Sequence, residues 1–275
     1  MYVRQLIAIA CISIITIRAG AQEIVASAGE SVGAAGITSV SIANKDMRSI
    51  NPSLMGDVER LAVAFSYICP FGLTELTQIS GKAVIATKLT NITAQISKSG
   101  NDDSHFIIIG GGLSKIYGKL GIGAEYYALI HTLWNNQHYT SSFSRFGIHF
   151  RPTKNLLLSL ALHSVEQREI NYETTENTIE AKAWLGLKWK ASKLFSILLE
   201  TEKPWNNNVE GKIALTVFPT DNLDFTLGFS SIGQSLSAGI GYTWNGANIR
   251  AGIMHHECLG TSIGTTIGYT LRKKN

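Results

Sequence analysis

His255, His256, Glu257 and Cys258 stand side by side, and imidazole, carboxylate and thiolate are donors that can hold a divalent metal. Their spacing argues against a hydrolytic zinc site. An H-E-x-x-H motif sets two histidines one helical turn apart with the glutamate between them, whereas this run is consecutive and falls on a loop at the end of a strand-like segment rather than on a helix. A solvated loop is expected, with incidental metal capture by His255 and His256 as the alternative. The stretch GGGLSKIYGK, from Gly110, is rich in glycine but lacks the spacing of a phosphate loop. No G-x-G-x-x-G opens a helix, and although GESVG (29–33) and GTSIG (260–264) have the G-x-S-x-G spacing, neither stands between a strand and a helix as a nucleophile elbow requires. The expectation is a chain with no catalytic residues, no enzymatic activity, no cofactor and no metal.

A different chemistry is available to Glu125, Arg145, His149, Glu180, Lys182, Lys188, Glu200, Glu210, Lys212, Asp224 and Arg250. Each sits in a segment of alternating character, on the same row as small and polar residues. In KLGIGAEYYALI, Leu120, Ile122, Ala124, Tyr126, Ala128 and Ile130 form one row, and Gly121, Gly123, Glu125, Tyr127 and His131 the other. IEAKAWLGLKW sets Ile179, Ala181, Ala183, Leu185, Leu187 and Trp189 opposite Glu180, Lys182, Trp184, Gly186 and Lys188. A period of two is the signature of a strand with two unlike faces. Charges of both signs on one face can pair between neighbouring strands and hold a plug, or can line a water path.

About fourteen such segments follow one another from Glu59, near 60–69, 81–89, 91–98, 104–114, 118–132, 139–151, 154–165, 178–190, 193–201, 209–218, 222–230, 234–244, 247–256 and 262–272. Alternation alone fits a soluble sandwich as well as a barrel. The links divide them: every second one is tight, as at YGK, PTKN and Asn245-Gly246, while PFGLTELTQIS and EQREINYETTEN are long. Short turns on one rim and longer loops on the other are the habit of transmembrane barrels. Aromatics near strand ends fit interfacial girdles, with Trp134, Tyr139 and Trp205 toward the long-loop rim and Trp189, Trp244 and Tyr269 toward the other. The fold class expected is all-β: a closed antiparallel transmembrane barrel of about fourteen strands.

The opening MYVRQLIAIACISIITIRAGAQ joins Arg4, an apolar run and an Ala19-Gly20-Ala21 site, which reads as a secretory signal over residues 1–21. Without Arg4 and Arg18 the 24 cations fall to 22 against 20 anions, a balance that gives nucleic-acid binding no support. After the leader, residues 22–57 form a luminal or periplasmic segment and 58–275 the barrel. Cys69 and Cys258 are the cysteines left beyond the leader. By strand order they flank the seam of the barrel, where a disulfide and two separate thiols are both open.

Residues 29–56, GESVGAAGITSVSIANKDMRSINPSLMG, with the signature Asn51-Pro52-Ser53, resemble the entry segment of FadL-type fatty acid channels and of the related PorV and PorQ barrels of type IX secretion. The resemblance continues through FGLTEL (71–76), RPTKNLLLSLAL (151–162) and MHHECLGTSIGTTIGYTL (254–271). It implies a fourteen-stranded barrel whose N-terminal segment sits in or under the lumen. The functions expected are a transport channel for small hydrophobic molecules or, alternatively, an accessory barrel that docks secretion or assembly proteins through its outer loops. The location expected is the outer membrane of a Gram-negative bacterium after Sec-type export, with outer-membrane lipid as the constant partner.

Overall fold

A strand whose alternate residues prefer different surroundings must find both, and fourteen such strands do so by closing on themselves. The computed structural model describes residues 29–40, 49–134, 137–164, 169–171, 176–231 and 234–271; the expected leader and the cationic end from Arg272 lie outside the described residues. The barrel strands are β1 (Leu61–Cys69), β2 (Gln78–Ala86), β3 (Asn91–Gly100), β4 (His105–Tyr117), β5 (Leu120–Thr132), β6 (His138–Thr153) and β7 (Leu156–His163), then β10 (Lys182–Trp189), β11 (Phe195–Pro204), β12 (Glu210–Val217), β13 (Leu223–Ser230), β14 (Ser235–Trp244), β15 (Ala247–His256) and β16 (Gly260–Leu271). Between β7 and β10, β8 (Glu169–Asn171) and β9 (Glu176–Thr178) pair as a separate hairpin. Each barrel strand runs antiparallel to its neighbours, and β1 closes the ring against β16 from Leu61↔Leu271 to Cys69↔Ile263. Closure leaves no edge strand with unpaired backbone.

The two faces separate as their sequences demand. Phe65, Leu227, Leu236 and Ile267, from four different strands, are each about six-tenths exposed, while Ser66, Thr226, Ser237 and Thr266 beside them are buried. Apolar side chains thus clothe the outside of the ring, and small, polar and charged ones point inward. Among the described residues no helix is long and apolar enough to cross a membrane.

Links of two residues close β4–β5, β6–β7 and β14–β15. Asn245 (φ 46°) and Gly246 (φ 88°) both adopt positive φ, the pairing that lets a two-residue turn follow the right-handed twist of its strands. Links 87–90, 190–194 and 218–222 on the same rim are built on a hydroxyl: Thr87, Ser192 and Thr220 each accept two backbone N–H bonds through their side-chain oxygens.

Several expectations need correction. The contrast in link length rests on 70–77 and 164–181 alone, because 101–104, 133–137, 205–209, 231–234 and 257–259 are no longer than links on the opposite rim. β2 starts at Gln78 rather than near 81, its first residues pairing with Ile68 and Tyr67 of β1, so the first outer loop is shorter than PFGLTELTQIS. Ile179 and Glu180 precede β10 instead of opening it; Ile179 is buried in an apolar cluster and so does not face outward. Tyr139 likewise packs on that cluster, and its hydroxyl donates to Gln137 Oε1, so it does not belong to the girdle. Trp134, Trp205, Trp189, Trp244 and Tyr269 are exposed as expected.

Cys69 and Cys258 are both free, the first buried and the second exposed. Cys69 stands opposite Ile263, and Gly260 lies three residues farther along β16, about 10 Å at the rise of a strand. Cys258 lies beyond Gly260 in the turn, so the Cα separation exceeds what a disulfide spans. Alkylation of the folded protein is expected to add one label, at Cys258, and a second at Cys69 only on unfolding. Two labels or none before unfolding would contradict this placement.

Candidate functional site

What fills the ring is the chain's own N-terminal segment. The 3-10 turn η1 (Gly29–Ala34) rests on the wall where Gly239, Gly252 and Gly264 stand in one row across β14, β15 and β16. A Cβ on Gly252 would lie 2.6 Å from Cα of Gly33, so backbone meets backbone there. Onward, Ala35 N donates to Ser237 Oγ (2.8 Å), and Lys212 Nζ donates to Gly36 O (3.3 Å). Thr38 N and Ser39 N both donate to Glu200 Oε2, at 2.9 and 2.6 Å. The segment therefore passes from β15 by way of β14 and β12 to β11.

Ser49 Oγ and Ile50 N both donate to Thr38 O, and at Asn51 the segment meets the wall of β6 and β7. Asn51 is wholly buried: its Nδ2 donates to Ile148 O and Leu160 O (both 3.2 Å), while Oδ1 accepts from Ser53 N and Ser53 Oγ. Asparagine suits this place because one side chain supplies the two donors that bridge a strand pair and the acceptor that caps a turn. Pro52 opens the second turn, η2 (Pro52–Asp57), where its fixed φ suits the first helical position. Small wall residues make room: a Cβ on Gly123 would lie 2.6 Å from the Pro52 carbonyl carbon, and one on Gly147 2.7 Å from Pro52 Cδ. Ser53 Oγ lies 3.0 Å from His149 Nδ1. Asn91 Nδ2 contacts the carbonyls of Met55, Gly56 and Val58 near the start of β3. Asp57 pairs with Arg151, whose Nη1 also lies 2.8 Å from His149 Nε2. Ile37, Val40, Leu54, Met55 and Val58 complete the plug by packing on Ala62, Val84, Leu157, Leu198 and Ala214 of the wall.

The inward charges expected from parity fall into distinct groups. On β10 to β12, Lys212 Nζ is 2.7 Å from Glu202, 3.5 Å from Glu200 and 3.9 Å from Glu210, and Lys182 reaches Glu202 at 3.2 Å. Glu210 also accepts from Ser230 Oγ. Arg250 grips Asp224 with two nitrogens, at 2.8 and 2.6 Å, across β13–β15. Glu125 pairs with Lys82 at 3.0 Å, and its Oε2 accepts from Tyr127 Oη at 2.7 Å, with Gln95 Oε1 3.0 Å from the same hydroxyl oxygen. Arg145 stacks its guanidinium on Tyr127 (4.8 Å) and Phe143 (5.4 Å), and its Nε lies 3.3 Å from His163 Nδ1. Glu180 is apart from all of these, accepting from Asn206 N and Asn207 Nδ2 at the outer rim. Lys188 holds its inward row near the other rim, apart from these groups, and has an interaction of its own there. Among the described residues no three His, Cys, Asp or Glu side chains converge to hold a metal.

Sequence reasoning missed Lys82, Glu202, Arg151 and Asp57. Parity could have found Lys82, which lies inside the segment 81–89 and on the row opposite the outward Ile85. Glu202 lies one residue past the assigned end of its segment, in the same row as Glu200. Arg151 was within reach as the next member of the row Arg145, His149. Asp57 gives no local signal, since its partner is distant in sequence.

Above the plug, toward the rim of the longer links, Tyr127, Leu129, Phe143, Ile108 and Ile179 make a buried apolar cluster flanked by Phe106 and Tyr139. Arg151→Ala should cost about 1 kcal/mol of unfolding free energy, because the pair with Asp57 is a quarter to a third exposed and water screens it. A thermal shift equal to that of removing a wholly buried pair would contradict this ranking.

No family model matches the sequence, and no curated protein matches it. Solved structures share its fold. A deltaS2 mutant of the monoaromatic hydrocarbon channel TodX superposes with TM-score 0.65 at 10% identity, over 90% of this chain and 99% of that one. The Pseudomonas putida toluene transporter TodX gives 0.63 at 10% identity, over 90% and 98%. A Pseudomonas aeruginosa FadL homologue gives 0.63 at 12% identity, over 90% and 99%. At such identities the likeness is one of architecture: this chain has the fold of a fourteen-stranded, closed antiparallel barrel shared with those channels.

Proposed function

We propose that this protein is an outer-membrane channel for small hydrophobic molecules, stoppered by residues 22–57, with the barrel built from 58–275 after a leader over 1–21 is removed. The observation that carries the reading is the inverted distribution of polarity. Large apolar side chains cover the outside of a closed ring while ion pairs fill the inside, an arrangement that a lipid bilayer stabilises and water does not. Toward hydrophobic cargo in particular, support comes from the aromatic and aliphatic cluster around Tyr127 and Phe143, and from the fold shared with a toluene transporter. Cargo enters by the rim of the longer links and leaves as the segment around Asn51 shifts.

A second reading, an accessory barrel for secretion or outer-membrane assembly, is favoured by how completely the plug is seated: Asn51, Ser53 and Met55 have no exposed surface. Here the link 164–181, with its hairpin, is the docking loop. Flux into liposomes separates the two. The channel reading expects toluene-sized solutes to enter protein-containing vesicles several-fold faster than empty ones. Equal rates leave the accessory reading.

A further inference from the structure

Charge is divided unequally between the two rims of the barrel. Where β1 begins, and at the links β2–β3, β4–β5, β6–β7 and β10–β11, stand Arg60, Lys88, Lys119, Lys154, Lys190 and Lys193, joined by Lys115 near the end of β4. Asp57 on this rim is already engaged by Arg151, which leaves Glu59 and Asp221 as the acids beside them. The opposite rim instead carries Glu75, Asp102, Asp103, Glu180 and Glu257, with Lys98, Lys182 and Lys203 as its cations among the described residues, and Lys182 there is paired with Glu202. Among the described residues these basic side chains occupy only part of the circle. They follow the consecutive strands from β1 to β11, whereas the links β12–β13 and β14–β15 hold no lysine or arginine.

Their neighbours say what such an arc meets. Lys88 precedes Leu89, Lys190 follows Trp189, and Lys193 precedes Leu194, and each of these apolar partners is at least half or nearly half exposed. Lys115 places its ammonium 5.2 Å from the ring centroid of Tyr117, on the outward face of β4. A cation beside an outward aromatic or leucine at a strand end lies at the depth where hydrocarbon gives way to headgroups. A soluble acidic protein docking from below would have no use for the outward leucines and aromatics.

We infer that this arc binds anionic phospholipid headgroups in the leaflet at the short-link rim, so that the barrel gathers such lipid along one side. The inference rests on the membrane reading above. Each lysine or arginine near an anionic surface adds attraction that salt screens.

The test uses the full chain in phosphatidylcholine vesicles with trace spin-labelled phosphatidylglycerol or spin-labelled phosphatidylcholine, and reads the immobilised fraction of each probe. At low salt the anionic probe is expected to be immobilised about two- to threefold more than the neutral one. That ratio should approach one in 1 M salt and in the variant Lys88→Gln, Lys119→Gln, Lys154→Gln, Lys193→Gln, whose side chains are exposed on the links; of these Lys119 also donates to Pro152 O, while its backbone bond to Arg151 N is untouched by the substitution. Equal immobilisation of both probes by the wild type overturns the lipid assignment and leaves an acidic protein as the arc's partner. A preference unchanged in the variant overturns it also. If neither probe is immobilised, the barrel is not in the bilayer, and the membrane reading falls together with this inference.

Discussion

Valine at position 252 should drive the first turn of the plug off the barrel wall while leaving the barrel closed. Gly252 faces inward between Gly239 and Gly264, and the space above it is taken by backbone: Cα of Gly33 and the carbonyl carbon of Val32 would lie 2.6 and 3.2 Å from a new Cβ. Backbone cannot rotate aside as a flexible side chain can. Overpacking of this kind costs about 1–3 kcal/mol per site, and two further methyl carbons against a main chain place it at the upper end. The barrel strands are held by ladders along both edges, whereas the plug near Gly33 is held by single contacts to Ser237 and Lys212, so the plug yields first. With Cys69 and Cys258 replaced by serine, a cysteine at Val32 should react with a water-soluble maleimide about 100-fold faster in the Gly252→Val protein, the equivalent of about 3 kcal/mol. Ala251→Val, one residue away and on the other face, is the control. An unchanged rate in Gly252→Val would show that the first turn does not lie on this wall.

Removal of the Glu200 carboxylate is the second substitution with a large consequence. One of its oxygens accepts from both Thr38 and Ser39 N–H groups, and the other lies 3.5 Å from Lys212. The residue is 2% exposed and its side chain not at all, so Glu200→Ala strands two donors where water does not readily replace the acceptor. Lys212 keeps Glu202 at 2.7 Å, which moderates the loss. A destabilisation of about 3 kcal/mol is expected, near the lower end for breaking a buried charged contact. Glu200→Gln retains a carbonyl oxygen for the two amides and should recover at least half of it. Trp184 is a natural reporter: it is buried with Ile50 and Ala161, so its emission follows the plug during denaturation in detergent. Alanine and glutamine variants with the same midpoint would mean that the carboxylate does not hold Thr38 and Ser39.

The barrel was legible because its defining signal is local. A strand that must show hydrocarbon-like residues on one side repeats every second position, and Leu120–Ile122–Ala124–Tyr126 or Phe225–Leu227–Phe229 can be read without knowing what lies beside them. Boundaries were less legible: Glu202 was missed because parity continues one residue past the point at which its segment was closed, and Ile179 was assigned outward because a short hairpin intervenes before β10 resumes the ring. Link length misled in part, since the hydroxyl-built turns at Ser192 and Thr220 are as long as several outer links.

The plug was legible as a small-residue segment with Asn51-Pro52-Ser53, but not its path. That Gly33 meets Gly252, that Asp57 meets Arg151 and that Asn51 bridges Ile148 and Leu160 are pairings over about a hundred residues or more, fixed by closure of the ring rather than by any local pattern. The same limit applied to the cysteines. Strand order brings Cys69 and Cys258 to one seam, but the register leaves them at different heights.

The central claim is that the outer face of this ring meets hydrocarbon and its inner face closes on the N-terminal segment. Sedimentation of the purified, unheated protein tests the first half without assuming a cargo. It should be monodisperse only while carrying a belt of detergent, and should precipitate or associate when the detergent is removed. A monodisperse species in plain buffer, with no bound amphiphile, would contradict the account.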